Sequence, residues 1–437
     1  MAKLVIEGGQ PLKGTIHLAG AKNSSFKLMI ASLLAKGETK LNNISHISEV
    51  DNVSQMIASL GGQVRLTAGG GIVIDTAGVD RWVIPQKLGE VSRASSLFLG
   101  PLLTRFGQAV VPLPGGDAIG RRPLDRHLDG LSALGAQIKS DHQLEAKTAG
   151  LYGTNFKFSK SSHTATEVVL MAAVLAKGKT VITNAASEPE VDDLIGFLTK
   201  MGAQIVRQGK NITISGVKEL QPVEYSVMPD RNQAVSYAVA ALATKGEVIV
   251  NNARAEHLTA FLDKLQQAGA GVETANSGIR FFWKQTLKAT DITTQPHPGF
   301  MTDWQPLWTV LMTQATGESK IIEAVFTHRF QVVEDLVKMG AGIKFFDPKP
   351  KNSERFYNFN LVDDDPGNHH GISVTGPTPL QGSEFSVADI RNGATLAIAG
   401  LTASGKTVLN QAELIDRGYE DFAGQLSGLG AKIERIG

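Results

Sequence analysis

The chain has 437 residues, enough for two or three domains with sizeable cores. Its 43 Lys and Arg balance 42 Asp and Glu, which argues against a general nucleic-acid or acidic-lipid binder. It has no cysteine, hence no disulfide framework, thiolate metal site or thiol nucleophile.

The opening M-A-K-L-V-I-E-G-G shows no secretory h-region, and apolar runs such as Val168–Ala176 are too short to span a bilayer. A soluble cytoplasmic protein is the expectation. Lys3–Glu7 reads as a strand ahead of the first repeat, so it must pair elsewhere, with the last repeats. Ser25–Ala35, Glu167–Ala176 and Ala234–Ala243 read as helices apolar nearly all round, and such helices are buried. Thr67–Ile74 reads as a hairpin turn. Leu113–His127, L-P-G-G-D-A-I-G-R-R-P-L-D-R-H, places Asp117 and two arginines on a glycine-rich loop ahead of a helix expected over Pro123–Leu134. A helix start attracts anions. These residues alone leave two readings open: acid chemistry on an anionic substrate, or a solvated loop with a surface ion pair. Phe346–Gly382, with D-D-D-P-G-N-H-H, reads as an insertion loop. His369 and His370 beside Asp363–Asp365 fit no known metal-ligand spacing. Gly400–Thr407, G-L-T-A-S-G-K-T, matches the P-loop pattern, but it follows a helix and precedes a strand, the reverse of the required context.

Repetition organises the whole. An apolar helix, a glycine turn and a strand recur at Gly37, Gly107, Gly178, Gly246, Gly317 and Gly405, spaced 70, 71, 68, 71 and 88 residues apart. A second signature, a helix ending in glycine before a strand, recurs in phase at Gly61, Gly135, Gly202, Gly269, Gly340 and Gly430. The expectation is two similar α/β domains of three repeats each. One covers 22–228 with a mobile catalytic loop at 112–122; the other covers 1–21 plus 229–437 with the insertion at 346–382. Counting back 14 or 15 residues from each turn glycine reaches Lys22, Arg93, Thr164, Arg231, Asp303 and Arg391, each at a helix start. Thr or Asp suits a helix cap. Lys and Arg oppose the helix dipole there, and such conflicts mark functional sites. Two facing domains would line a cleft with Lys22, Arg93, Arg231, Arg391 and Asp303.

The motifs L-A-G-A-K-N at Leu18–Asn23, R-A-S-S at Arg93–Ser96 and the Leu113–His127 stretch carry a resemblance. So do N-A-A-S-E-P-E at Asn184–Glu190, P-D-R at Pro229–Arg231, G-F-M-T-D-W-Q at Gly299–Gln305, H-R-F at His328–Phe330 and I-D-R-G-Y-E at Ile415–Glu420. Over essentially its whole length the chain resembles the UDP-N-acetylglucosamine 1-carboxyvinyltransferase family. That resemblance implies two inside-out α/β barrel domains of three repeats each. It implies transfer of the enolpyruvyl group of phosphoenolpyruvate to the nucleotide sugar, the first committed step of peptidoglycan synthesis. No cofactor, metal, nucleic-acid or membrane partner is implied, and a monomer or weak homo-oligomer is expected. It assigns Lys22, Arg122 and Arg417 to phosphoenolpyruvate, with Arg391 nearby, and Asn23 and Asp303 to the N-acetylglucosamine. Arg93, the run Arg122, Pro123, Leu124, Asp125 and Arg126, then Lys160, Ser161, Ser162 and His163, and Val325, would hold the nucleotide sugar. Asp117 takes the general-acid position and Asp303 is the candidate base.

The chain departs from the family at several places. Asp117 stands where most members carry cysteine, which implies an active enzyme that resists fosfomycin, an alkylator of that cysteine. A free Asp titrates near ~3.9, so Asp117 needs desolvation or bound phosphoenolpyruvate to serve as an acid near neutrality. The turn S-V-G-A-T of relatives is Ser162-His163-Thr164-Ala165-Thr166 here, and loss of glycine alters backbone approach to phosphate. Gln233 and Ser187 replace an acidic residue and an arginine. Two other functions stay open: an enolpyruvyl transferase acting on shikimate 3-phosphate, whose G-S-K-S and N-x-G-T-x-x-R signatures are absent, and a non-catalytic nucleotide-sugar-binding homologue.

Overall fold

The computed structural model describes residues 2–116 and 119–437. The chain forms two compact units. The first comprises Ala19–Gly116 and Pro123–Met228; the second comprises Met1–Leu18, Asp117–Arg122 and Pro229–Gly437. Both are built from the repeat read in the sequence. In the third copy an edge strand, Asn155–Lys157, leads into the inner helix His163–Ala173 and then strand Lys179–Thr183. The outer helix Pro189–Lys200 and the hairpin Gln204–Gln208, Asn211–Ser215 complete it. The edge strand runs parallel to Lys179–Thr183 because the inner helix supplies the crossover, whereas the hairpin pairs antiparallel.

Among the described residues six sheets result, five of four strands and one of three. In the three-stranded sheet the parallel edge shrinks to a bridge between Val83 and Val110, just before Pro85, which has no N–H to extend the pairing. The six glycines of the second signature all adopt left-handed φ, between 84° and 108°, as a helix-ending turn requires. In the first signature Gly246 is the exception, and Lys245 takes φ 57° in its place.

The inner helices are buried all round, as their composition demands. Every residue of Arg231–Ala243 is buried, and so is nearly all of Ile390–Thr402 and Lys22–Ala31. Outer helices such as Ser48–Ser59 bury one face only. The result is two similar units of three helix–strand repeats with the helices inside.

Strands from far along the chain complete three sheets. Lys3–Glu7 lies between Lys406–Asn410 and Lys432–Ile436, antiparallel to both, as the expectation for the opening strand required. Lys13–His17 pairs with Glu247–Asn251, and Glu224–Ser226 pairs with Glu38–Asn42. Among the described residues no helix is long and apolar enough to cross a membrane.

Three expected boundaries are corrected. The helix expected over Pro123–Leu134 is Asp125–Ala133; Leu124, at φ −99° and ψ 8°, precedes it, and Asp125 puts an acid in its first turn. The interval 346–382 is not one loop. Its polar first part hid strand Gly371–Gly376, whose Ile372 and Val374 are fully buried, so the insertion ends at residue 370. Within 112–122, Pro112 closes strand Gln108–Pro112, and residues 119–122 join the second unit. The buried Ile119 accepts there from His328 N–H at 3.3 Å. Gly120 passes so close to Thr327 that a Cβ would sit 2.0 Å from its hydroxyl.

Ile6→Ala, at a fully buried position, should cost roughly 2–5 kcal/mol and loosen the far end of the chain. Hydrogen exchange should rise at 406–410 and 432–436; a rise confined to the first residues would contradict this pairing.

Candidate active site

All six counted positions stand at helix starts. Lys22, Arg93 and Arg231 are first residues of their helices; Thr164, Asp303 and Arg391 are second. Two of the arginines follow aspartate caps. Asp230 Oδ1 accepts from Asn232 and Gln233 N–H, and Asp389 Oδ1 accepts from Arg391 and Asn392 N–H. Each cap places a negative charge beside the guanidinium, which eases its conflict with the helix dipole.

In the second unit the three helix starts meet. Asp303 Oδ1 accepts from Arg329 at 2.9 Å and its Oδ2 accepts from Arg391 at 3.3 Å. Arg391 also donates to Tyr419 Oη at 2.9 Å, and that hydroxyl shares a 2.7 Å hydrogen bond with Ser236. Burial works against the Arg391 charge, but Tyr419 and Asp303 outweigh it and hold the guanidinium above its ordinary pKa. Arg231 lies 5.7 Å over the Trp304 ring, whose N–H donates to Asn232 at 2.8 Å. Glu323, fully buried, shapes the next turn: Oε1 accepts from Val325 and Phe326 N–H, and Oε2 accepts from Thr302, the neighbour of Asp303. Burial raises its pKa despite those hydrogen bonds. Arg417 ends a short 3-10 helix, Ala412–Arg417, two residues before Tyr419. Arg122 also belongs to this unit.

The first unit holds Lys22, Asn23, Arg93, Pro123 to Arg126 and Lys160 to His163. Lys22 Nζ sits 5.6 Å from the Phe26 ring centroid. Ser24, next to Asn23, donates to Asp193, which also accepts from Tyr225 Oη at 3.0 Å and Met228 N–H at 3.3 Å. Burial raises the Asp193 pKa. This carboxyl therefore ties the start of the Lys22 helix to the segment where the chain leaves the unit. Arg93 and Arg126 lie close enough to His127 to depress its charge, and His127 Nε2 shares a 2.8 Å hydrogen bond with Thr164 Oγ1. Lys160, Ser161 and Ser162 form the half-buried approach to the helix that His163 begins. Asp117, the expected acid, lies outside the described residues.

Sequence reasoning assigned no role to Glu323, Arg329, Tyr419, Asp193 or His127. The stretch Leu113–His127, H-R-F and I-D-R-G-Y-E contain three of them, His127, Arg329 and Tyr419, and that was the available signal. The histidines of the insertion have local partners: His370 pairs with Asp364 at 2.7 Å and His369 with Asp347 at 3.0 Å.

The sequence profile of the EPSP synthase (3-phosphoshikimate 1-carboxyvinyltransferase) family matches residues 6–426. A UDP-N-acetylglucosamine 1-carboxyvinyltransferase of Geotalea uraniireducens (strain Rf4) is 40% identical over 439 residues, covering 100% of both chains. One of Halothermothrix orenii is 40% identical over 438 residues, again covering 100% of both. The chain belongs to the UDP-N-acetylglucosamine 1-carboxyvinyltransferase family. Its fold is also that of the enolpyruvyl transferase NikO from Streptomyces tendae, at TM-score 0.84 and 22% identity, over 100% of this chain and 99% of that one. An EPSP synthase from Acinetobacter baumannii matches at TM-score 0.74 and 20% identity over 100% of both.

This 1-carboxyvinyltransferase family member carries a pH signature in its His127. Burial, with the charges of Arg93 and Arg126 adding to it, lowers its pKa from 6.5 to about 3. Between those values the unfolded chain binds a proton that the folded chain refuses. Stability from this residue is complete above 6.5 and is lost as pH falls toward 3. His127→Gln should show a shallower loss across that window in denaturant titrations; equal slopes in the two proteins would contradict it.

Proposed function

We propose that the chain transfers the enolpyruvyl group of phosphoenolpyruvate to the 3-hydroxyl of UDP-N-acetylglucosamine and releases phosphate, the first committed step of peptidoglycan synthesis, in the cytoplasm. The observation that carries this reading is the 40% identity, end to end, to relatives bearing that name. The chemistry of the helix starts supports it. The C2 carbon of an enol phosphate becomes electrophilic only when its neighbour C3 is protonated. Asp117 gives that proton to C3 of phosphoenolpyruvate, the sugar oxygen forms a bond to C2, and Asp303 takes the hydroxyl proton. Asp303 passes that proton to the phosphate oxygen, then takes a C3 proton of the tetrahedral adduct as the C2–O bond breaks and phosphate leaves. Lys22, Arg122, Arg391 and Arg417 offset the charge of phosphoenolpyruvate and of the departing phosphate. Asp303 suits its role because two guanidinium groups fix its carboxylate in one orientation. Asn23 contacts the sugar with Asp303. Arg93, the 122–126 run, Lys160 to His163 and Val325 hold the nucleotide sugar.

The profile's name favours one other acceptor, shikimate 3-phosphate. Identity of 20% to an EPSP synthase structure supports that acceptor less than the 40% relatives support UDP-N-acetylglucosamine.

Purified protein given phosphoenolpyruvate and UDP-N-acetylglucosamine should release phosphate in step with an enolpyruvyl product, and should release none with shikimate 3-phosphate. No release with the nucleotide sugar would overturn the reading. Asp117→Asn should lose at least about 100-fold in turnover. The wild-type rate should fall on the alkaline side as the acid is lost. Asp117→Cys should stay active and become sensitive to fosfomycin; an active but resistant variant would remove Asp117 from the acid position.

A further inference from the structure

Two buried side chains in the first unit, Lys27 and Glu167, have no part in the chemistry above. Lys27 lies on the second turn of the Lys22 helix, in the middle of a run that is otherwise apolar. Its Nζ is 2.7 Å from Glu167 Oε1 and 2.6 Å from His163 Nε2, and His163 Nε2 is 3.1 Å from the same Glu167 oxygen. The Lys27 and Glu167 side chains are 1% and 0% exposed, whereas His163 is 23% exposed. Glu167 Oε2 has no hydrogen-bond partner among the described residues, so Oε1 carries the pairing of that carboxylate. A buried charge pair of this kind is poor evidence for stability, since apolar side chains of equal volume serve as well or better. Its position is the informative part. It joins the helix that begins with Lys22 to the first turn of the helix that follows Lys160–Ser162.

We propose that Lys27 and Glu167 are positioning residues: the buried ammonium fixes the His163 ring in its Nδ1–H tautomer, and that N–H donates to the diphosphate of the nucleotide sugar. The inference rests on the acceptor proposed above. An ammonium group has three donors and no acceptor, so a ring nitrogen 2.6 Å away must be the bare one. The 2.7 Å pairing with the Glu167 carboxylate is that of an ammonium, so the proton is placed on the amine. A neutral imidazole bare at Nε2 carries its hydrogen at Nδ1. His163 thus turns its lone pair toward the buried pair and keeps its donor on the other ring nitrogen, at the last residue of the segment assigned to the nucleotide sugar. The next residue is held in the same manner, through the hydrogen bond between Thr164 and the buried His127. The family resemblance implies Val-Gly at these two positions, where glycine lets backbone approach phosphate. Here a side-chain donor takes that place, and Lys27 and Glu167 supply its orientation.

Two measurements decide it. Long-range proton–nitrogen NMR on protein with labelled histidine reads the tautomer, with the His163 signal identified by its loss in His163→Gln. The wild type should show hydrogen on Nδ1 only; hydrogen on Nε2, or on both nitrogens, would overturn the proposal. The double variant Lys27→Met/Glu167→Leu replaces the pair with apolar side chains, so the fold keeps its packing. Its KM for UDP-N-acetylglucosamine should rise about tenfold, the worth of one charge-assisted hydrogen bond, while the KM for phosphoenolpyruvate moves less than about twofold. An unchanged KM for the nucleotide sugar, or equal rises for both substrates, would overturn it. A wild type that turns over neither substrate counts against the proposed acceptor, and the tautomer result then still decides the assignment of Lys27.

Discussion

The placement of Asp303 between Arg329 and Arg391 is the constraint on which the second unit depends. Arg329 and Arg391 have side chains 3% and 8% exposed, and an unpaired charge at such a depth costs several kcal/mol. Asp303 meets both, Tyr419 meets Arg391 from the far side, and Asp389 caps the helix beneath it. None of this is needed to bury three apolar helices. Alanine-rich inner helices pack without charges; in the last turn of the helix Leu99–Phe106 stands the half-buried Arg105. That side chain spends its donors on the carbonyls of Leu33, Ala35, Thr76 and Val79. Charge paired with charge at the helix starts, and charge closing off backbone at the ends, is the arrangement expected where only the starts meet ligands.

The repeat supplies the geometry. Each inner helix is a crossover between parallel strands, so every copy enters its helix from the same end of its sheet. Three copies side by side bring three starts together. The strands lent across the chain, Lys3–Glu7, Lys13–His17 and Glu224–Ser226, close sheets that lie far away in sequence. The cost of loop closure grows only slowly with length, so such distant pairing is tolerable when the strand completes a sheet and covers a core.

Much of this was legible in the sequence because it is periodic. The glycine turns, the buried helices and the six polar helix starts all recur at a fixed spacing. The P-loop match could be set aside because Gly405 lies in the turn after the helix Ile390–Thr402 and Lys406 opens a strand. What was hidden is what recurs nowhere. Lys27 and Glu167 were read as members of apolar helices, since each is a single charge in a long apolar run and its partner lies 140 residues away. Glu323 and His127 are likewise defined by contacts across the fold. The strand Gly371–Gly376 was lost inside the polar stretch before it, where composition outweighed the alternation of Ile372 and Val374.

The central claim is that ligands meet the starts of the inner helices and not their ends. Hydrogen exchange read by mass spectrometry, with and without UDP-N-acetylglucosamine and phosphoenolpyruvate, tests this most directly. Protection should gather at 22–27, 93–98, 160–167, 231–236, 302–305 and 390–394. Protection at the opposite ends, such as 33–36, 104–107 and 217–221, with the starts unchanged, would contradict it.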